Sequence, residues 1–153
     1  MQQTNSNTTK NLIIYADDDR DDREMVTEAF SQYAPNVDVV EFMNGAEAVK
    51  FLQSLPETHP APCLIILDIN MPQMCGKEAL TKIRLMERFT ETPAILFTTS
   101  SHQSDKMYAE QFGAGFISKP QSYDDLKDIA RQFANRCTDD VKIGLLNAIA
   151  QAW

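Results

Sequence analysis

Five short apolar runs punctuate the chain, at residues 12–16, 37–42, 64–69, 94–97 and 115–118. Between them, apolar residues recur every three or four positions, the spacing of a helix with one buried face. Met25, Val26, Ala29, Phe30 and Tyr33 form the first such face, and Ala48, Phe51, Leu52 and Leu55 the second. Ala79, Leu80, Ile83 and Met86 form a third, a helix follows through Met107, Tyr108 and Phe112, and Leu126, Ile129, Ala130, Phe133 and Ala134 line the buried side of a fifth. Turn and breaking residues separate the units: Pro35-Asn36, Asn44-Gly45, the prolines of 56–62, Gly76, Pro93 and Gly113. Ser122 and Asp125 have the spacing of a helix-capping pair.

Strand and helix thus alternate five times. Parallel strands need crossovers that leave the sheet and return, so the alternation predicts a parallel sheet with helices on both faces. The class is α/β, a flavodoxin-like doubly wound (βα)5 sandwich with strand order 2-1-3-4-5. One domain over residues 11–137 is expected, preceded by a polar, disordered tail at 1–10. An extension follows at 138–153, where Val141, Leu145, Ala148, Ile149 and Ala152 suggest a short helix before Trp153 and Gly144 weakens it.

The 153 residues are 43% hydrophobic and 24% charged, ordinary values for a soluble globular protein. A net charge of −8 argues against direct nucleic-acid binding, which requires a basic face. No apolar stretch approaches the roughly 20 residues that span a bilayer, and the polar start does not read as a signal peptide. Cys63, Cys75 and Cys137 lack metal-ligand spacing and read as free thiols of a reducing cytoplasm.

The chemistry lies where the apolar runs end. The third run, residues 64–69, is interrupted by Asp68 and followed by Asn70 and Pro72. Taken alone, Asp68 could simply cap a turn. Asp17 and Asp18 end the first run, Thr98 the fourth and Lys119 the fifth. In an open parallel sheet, ligands bind beyond the strands' carboxyl ends, and strands one and three are neighbours in the expected order. Carboxylates gathered there repel one another, at up to ~4 kcal/mol per close pair in a surface-like dielectric. A hard divalent cation such as Mg²⁺ relieves that repulsion. Beside a metal, Lys119 and the Thr98 hydroxyl, Asp68 is equipped to attack phosphorus and hold it as an acyl phosphate.

With those residues in place, the chain resembles the receiver domain of the two-component response-regulator family. Four stretches carry the likeness: 12–19 (LIIYADDD), 65–72 (IILDINMP), 95–100 (ILFTTS) and 113–120 (GAGFISKP). The resemblance implies that Asp68 is the phosphoacceptor, charged by a sensor histidine kinase or a histidine phosphotransfer protein. It implies Mg²⁺ (or Mn²⁺) held by Asp17, Asp18, Asp68 and the backbone carbonyl of Asn70. Thr98 would be the switch hydroxyl, Phe116 the aromatic that follows it, and Lys119 the cation paired with phosphate before a cis bond to Pro120. Output would pass through the face of the fourth helix, fifth strand and fifth helix, with a phosphorylation-dependent homodimer as one form. The family carries out self-catalysed phosphoryl transfer and autodephosphorylation rather than independent substrate turnover.

Two departures stand out: Cys75 where the family commonly has Asp, and Phe116 in place of the frequent Tyr. The extra acids of 19–22 read as solvated charges at a helix N-terminus, and His59 and His102 as loop residues without partners. Rival readings are a receiver that docks constitutively without phosphorylation, and an Mg-dependent aspartate-nucleophile phosphatase using Asp17 and Asp19. A flavin carrier of the same fold is disfavoured, because the Asp-rich first loop would repel the cofactor's phosphate.

Overall fold

In a computed structural model that describes residues 11–137, five parallel strands form one sheet in the order β2-β1-β3-β4-β5. The strands are β1 (Asn11–Ala16), β2 (Val37–Phe42), β3 (Leu64–Leu67), β4 (Ala94–Thr98) and β5 (Gly115–Ser118). The helices are α1 (Arg20–Tyr33), α2 (Gly45–Ser54), α3 (Gly76–Arg84), α4 (Gln103–Gln111) and α5 (Tyr123–Asn135). The predicted class and strand order are both found. The tail at 1–10 and the helix expected within 138–153 lie outside the described residues.

Alternation along each strand divides the core in two. Leu12, Ile14 and Ala16 of β1 join Ile65 and Leu67 of β3 against α2, α3 and Ala109 of α4. Ile13 and Tyr15 join Leu64 and Ile66 against α1 and α5. The central strands are buried on both faces, which is why they read as unbroken apolar runs rather than alternating ones. Register places Ala16 of β1 beside Leu67 of β3. The next residues of the two strands, Asp17 and Asp68, therefore leave the sheet side by side.

Side chains start three helices, of which the sequence suggested the Ser122–Asp125 cap. Asp19 accepts the Asp22 amide at α1, Asn44 the Glu47 amide at α2, and Ser122 the Asp125 amide at α5. Gly113 has φ 65°, which suits a glycine after α4. Gly76 is required for a different reason: a Cβ there would lie 2.1 Å from the Asp68 carbonyl oxygen. The start of α3 thus presses directly on the backbone of the candidate phosphoacceptor.

Three expectations fail. Cys63 and Cys137 form a disulfide, and only Cys75 is a free thiol among the described residues. Their separation of 74 residues gives no local signal; the end of α5 returns to the start of β3 only in the folded chain. The Lys119–Pro120 bond is trans. The helix expected through Met107 and Tyr108 is found as α4, with Ala109 turned to the core and Met107 59% exposed. His59 has a partner, its Nδ1 lying 2.7 Å from the Pro60 carbonyl oxygen.

Candidate functional site

Asp17 and Asp68 are the first residues past β1 and β3, and both are buried. The Asp68 amide donates to the Ala16 carbonyl at 2.9 Å, which extends the β1–β3 pairing to the acid itself. Asp18 follows Asp17 and is exposed. One carboxylate oxygen from each of Asp17, Asp18 and Asp68 lies within 4.8 Å of the others. Carboxylate oxygens at that spacing suit a hard divalent cation with room for water. Next in the turn, the Asn70 amide donates to Asp68 Oδ1 at 3.3 Å.

Lys119 enters from the end of β5. Its backbone amide donates to the Thr98 carbonyl at 2.7 Å, and its Nζ lies 5.7 Å from the centre of the Phe97 ring. With the side chain 5% exposed, the ammonium donates to Asp17 Oδ2 at 2.6 Å, Asp22 Oδ2 at 2.8 Å and Asp68 Oδ2 at 3.1 Å. An ammonium has three N–H donors. All three are engaged.

The electrostatics follow from one cation set among several carboxylates. Burial opposes the charge of Lys119, but the Asp17 charge, the hydrogen bonds Lys119 donates to Asp17 and Asp22, and the Asp68 charge outweigh it. Its pKa is held well above that of a free lysine. Burial pushes the Asp17 carboxyl up; Lys119 and the Asp19 amide act against the rise, and the Asp68 charge adds to it. The two shifts thus have different causes: neighbouring carboxylates hold the proton on Lys119, whereas burial is the main reason the Asp17 carboxyl is raised.

Thr98 is fully buried at the end of β4, and its Oγ1 accepts the Ser100 amide at 3.2 Å. Phe116 lies apart from the acidic cluster, half-buried on β5 against the α2–α3–α4 side of the core. The Ser100 hydroxyl donates to Asp105 at 2.5 Å, and Lys77 pairs with the other oxygen of Asp105 at 2.8 Å. The loop after Thr98 is thereby tied to α3.

Two participants were not expected. Tyr15 is fully buried, and its hydroxyl donates to Asp17 Oδ2 at 2.9 Å. Burial first, and then the Asp17 charge, raise its pKa well above that of a free tyrosine. Asp22, read from the sequence as solvated, is instead bound to Lys119 with its side chain 23% exposed. Both had a signal in the sequence. A buried tyrosine hydroxyl needs a partner, and Asp22 precedes Val26 by four residues, which places it on the buried face of α1. Asp19 and Asp21 are exposed, in line with the solvated reading.

The Response regulator receiver domain family matches residues 13–131. The response regulator Rre1 of Synechocystis sp. is 34% identical over 125 residues, covering 81% of this chain and 52% of Rre1. Chemotaxis protein CheY1 of Helicobacter pylori is 30% identical over 117 residues, 76% of this chain and 90% of CheY1. The chain therefore spans about half of Rre1 but most of CheY1. Among solved structures, the Mn²⁺-bound form of response regulator Rcp1 superposes with a TM-score of 0.76 at 24% identity, over 86% of this chain and 96% of that one. CheY4 of Vibrio cholerae gives a TM-score of 0.66 at 26% identity, over 81% and 98%. Strand order, the acids beyond β1 and β3, and the match over residues 13–131 agree: the chain belongs to the response regulator receiver domain family of two-component signalling.

Proposed function

We propose that Asp68 accepts a phosphoryl group from a sensor histidine kinase or a histidine phosphotransfer protein. The observation that carries this reading is the contact of Lys119 Nζ with Asp68 Oδ2 at 3.1 Å, beside the Asp17–Asp18–Asp68 oxygen cluster. The all-oxygen donor set fits Mg²⁺ or Mn²⁺, held by Asp17, Asp18, Asp68 and the Asn70 carbonyl. When bound, such a metal supplies charge neutralisation for the transferring phosphoryl oxygens.

An oxygen of Asp68 attacks phosphorus as the bond from phosphorus to the donor's imidazole nitrogen breaks. Lys119 then exchanges its bond to Asp68 for one to a phosphoryl oxygen, while Asp17 holds its ammonium in place. The Thr98 hydroxyl turns from the Ser100 amide, whose hydrogen bond it accepts, to donate to a phosphoryl oxygen in exchange, and Phe116 follows it inward. That exchange is a two-state element whose balance phosphorylation shifts. The α4–β5–α5 face carries the signal to a protein target, with a phosphorylation-dependent homodimer as one form of output. As part of this reading the reaction is assigned to the cytoplasm. No helix among the described residues is long and apolar enough to cross a membrane.

The phosphatase reading is weaker. Asp19, the second acid it needs, is exposed and caps α1 through the Asp22 amide. Constitutive docking without phosphorylation remains the alternative that the test must separate. Acetyl phosphate with Mg²⁺ adds one phosphoryl group to the wild-type chain and none to Asp68→Asn, read by intact mass. Equal labelling of both proteins defeats the assignment, and absence of labelling in the wild type favours docking.

A further inference from the structure

The chemistry so far assigned needs Asp17, Asp18, Asp68 and Lys119. It does not need Asp22, yet Asp22 holds one of the three donors of Lys119 at 2.8 Å, a shorter contact than that to Asp68. We propose that Asp22 is a counter-ion that sets the balance of this site, favouring the divalent metal and opposing the phosphoryl group by occupying Lys119. The inference rests on the phosphoacceptor reading and adds a regulating residue to it.

The argument is one of charge against position. Four carboxylates, Asp17, Asp18, Asp22 and Asp68, face one ammonium. Asp22 lies outside the group of three whose oxygens come within 4.8 Å of one another, so it acts on the metal through its field rather than as a ligand. Its negative charge draws in a divalent cation. A phosphoryl group brings negative charge of its own, and meets both repulsion from Asp22 and a Lys119 already part-neutralised by it. With the side chain only 23% exposed, water screens that charge incompletely.

Losing Asp22 leaves Lys119 in place. Its ammonium keeps the 2.6 Å bond to Asp17, its backbone amide keeps the Thr98 carbonyl, and the Phe97 ring stays beneath it. Neutralising Asp22 therefore removes charge without removing the anchor, and the two affinities move in opposite directions. A residue that served only to build the helix or the pocket would shift both the same way.

The test uses the full chain, as wild type, Asp22→Asn and Asp22→Glu. Mn²⁺ affinity is read from the electron paramagnetic resonance of the free ion. Affinity for beryllofluoride, a phosphoryl mimic, is read by calorimetry at saturating Mg²⁺. Asp22→Asn is expected to bind Mn²⁺ about fivefold more weakly and beryllofluoride about fivefold more tightly, the scale of a partly screened charge pair. Asp22→Glu, which keeps the charge, should stay nearer the wild type in both. If Asp22→Asn fails to fold, Asp22→Ser carries the same expectation.

Parallel weakening of both ligands, or no change in either, overturns the role of Asp22 while leaving the phosphoacceptor reading intact. Failure of the wild type to bind beryllofluoride, or equal binding by Asp68→Asn, instead overturns the phosphoacceptor reading and this inference with it.

Discussion

Replacing Lys119 by Met keeps the length of the side chain and deletes its ammonium. Three contacts disappear, at 2.6, 2.8 and 3.1 Å, and the carboxylates of Asp17, Asp22 and Asp68 lose their cation. Removing one partner of a buried ion pair costs about 3–5 kcal/mol, mostly because the remaining charge stays buried. Asp17 and Asp68 are buried, whereas Asp18 is exposed and Asp22 partly so. Some of the cluster is thus rehydrated, and the lower end, ~3 kcal/mol, is expected. In a chain of this size that is about 6–12 °C in Tm. Mg²⁺ distinguishes this cause from damage to packing. At a hundred times Kd it stabilises a folded protein by about 2.7 kcal/mol. The variant, with its carboxylates uncompensated, should bind Mg²⁺ more tightly and gain more than the wild type does. Urea unfolding of both proteins, with and without Mg²⁺, reads all four values. A metal-free loss below about 1 kcal/mol, or an equal Mg²⁺ gain in both proteins, refutes the charge argument.

Arg84 donates to the carbonyls of Phe112, Phe89, Thr92 and Gly113, tying α3 to the turns before β4 and β5. Arg84→Ala should lose about 3 kcal/mol in urea unfolding, and Arg84→Lys should recover less than half, because one ammonium cannot reproduce the planar fork. Gly76→Ala puts a Cβ 2.1 Å from the Asp68 carbonyl oxygen; backbone must move, so about 1–3 kcal/mol of stability is lost and acetyl phosphate labels Asp68 more slowly. Hydrogen bonds from Lys77 and Ser100 outweigh burial and hold the Asp105 carboxyl below its usual value of 3.8. A carboxyl depressed on folding contributes stability that is full above the unfolded pKa and lost as pH falls through the folded one. The wild type's advantage over Asp105→Asn should therefore be steady near neutrality and shrink below about pH 4, read by urea midpoints across that range.

The central strands β1, β3 and β4 were legible because burial on both faces leaves an unbroken apolar run. The acids were legible because each ends such a run, where a buried chain has no other reason to carry charge. Lys119 was found the same way, at the close of β5. Asp22 was misread because four neighbouring acids look alike in the sequence, and only the helical period sets it on the inner face of α1. Tyr15 reads as one member of the first apolar run; its buried hydroxyl calls for a partner, but nothing local shows that the partner is Asp17. The Cys63–Cys137 bond joins residues 74 apart, a proximity created by the α5 return and by no local spacing.

Borohydride reduction of protein labelled with acetyl phosphate tests the central claim most directly, because it converts an aspartyl phosphate into homoserine at the residue that carried it. Peptide mass spectrometry should find homoserine at position 68 and at no other acid. Homoserine at position 17, 18 or 19, or labelled protein in which Asp68 is intact, would contradict the assignment.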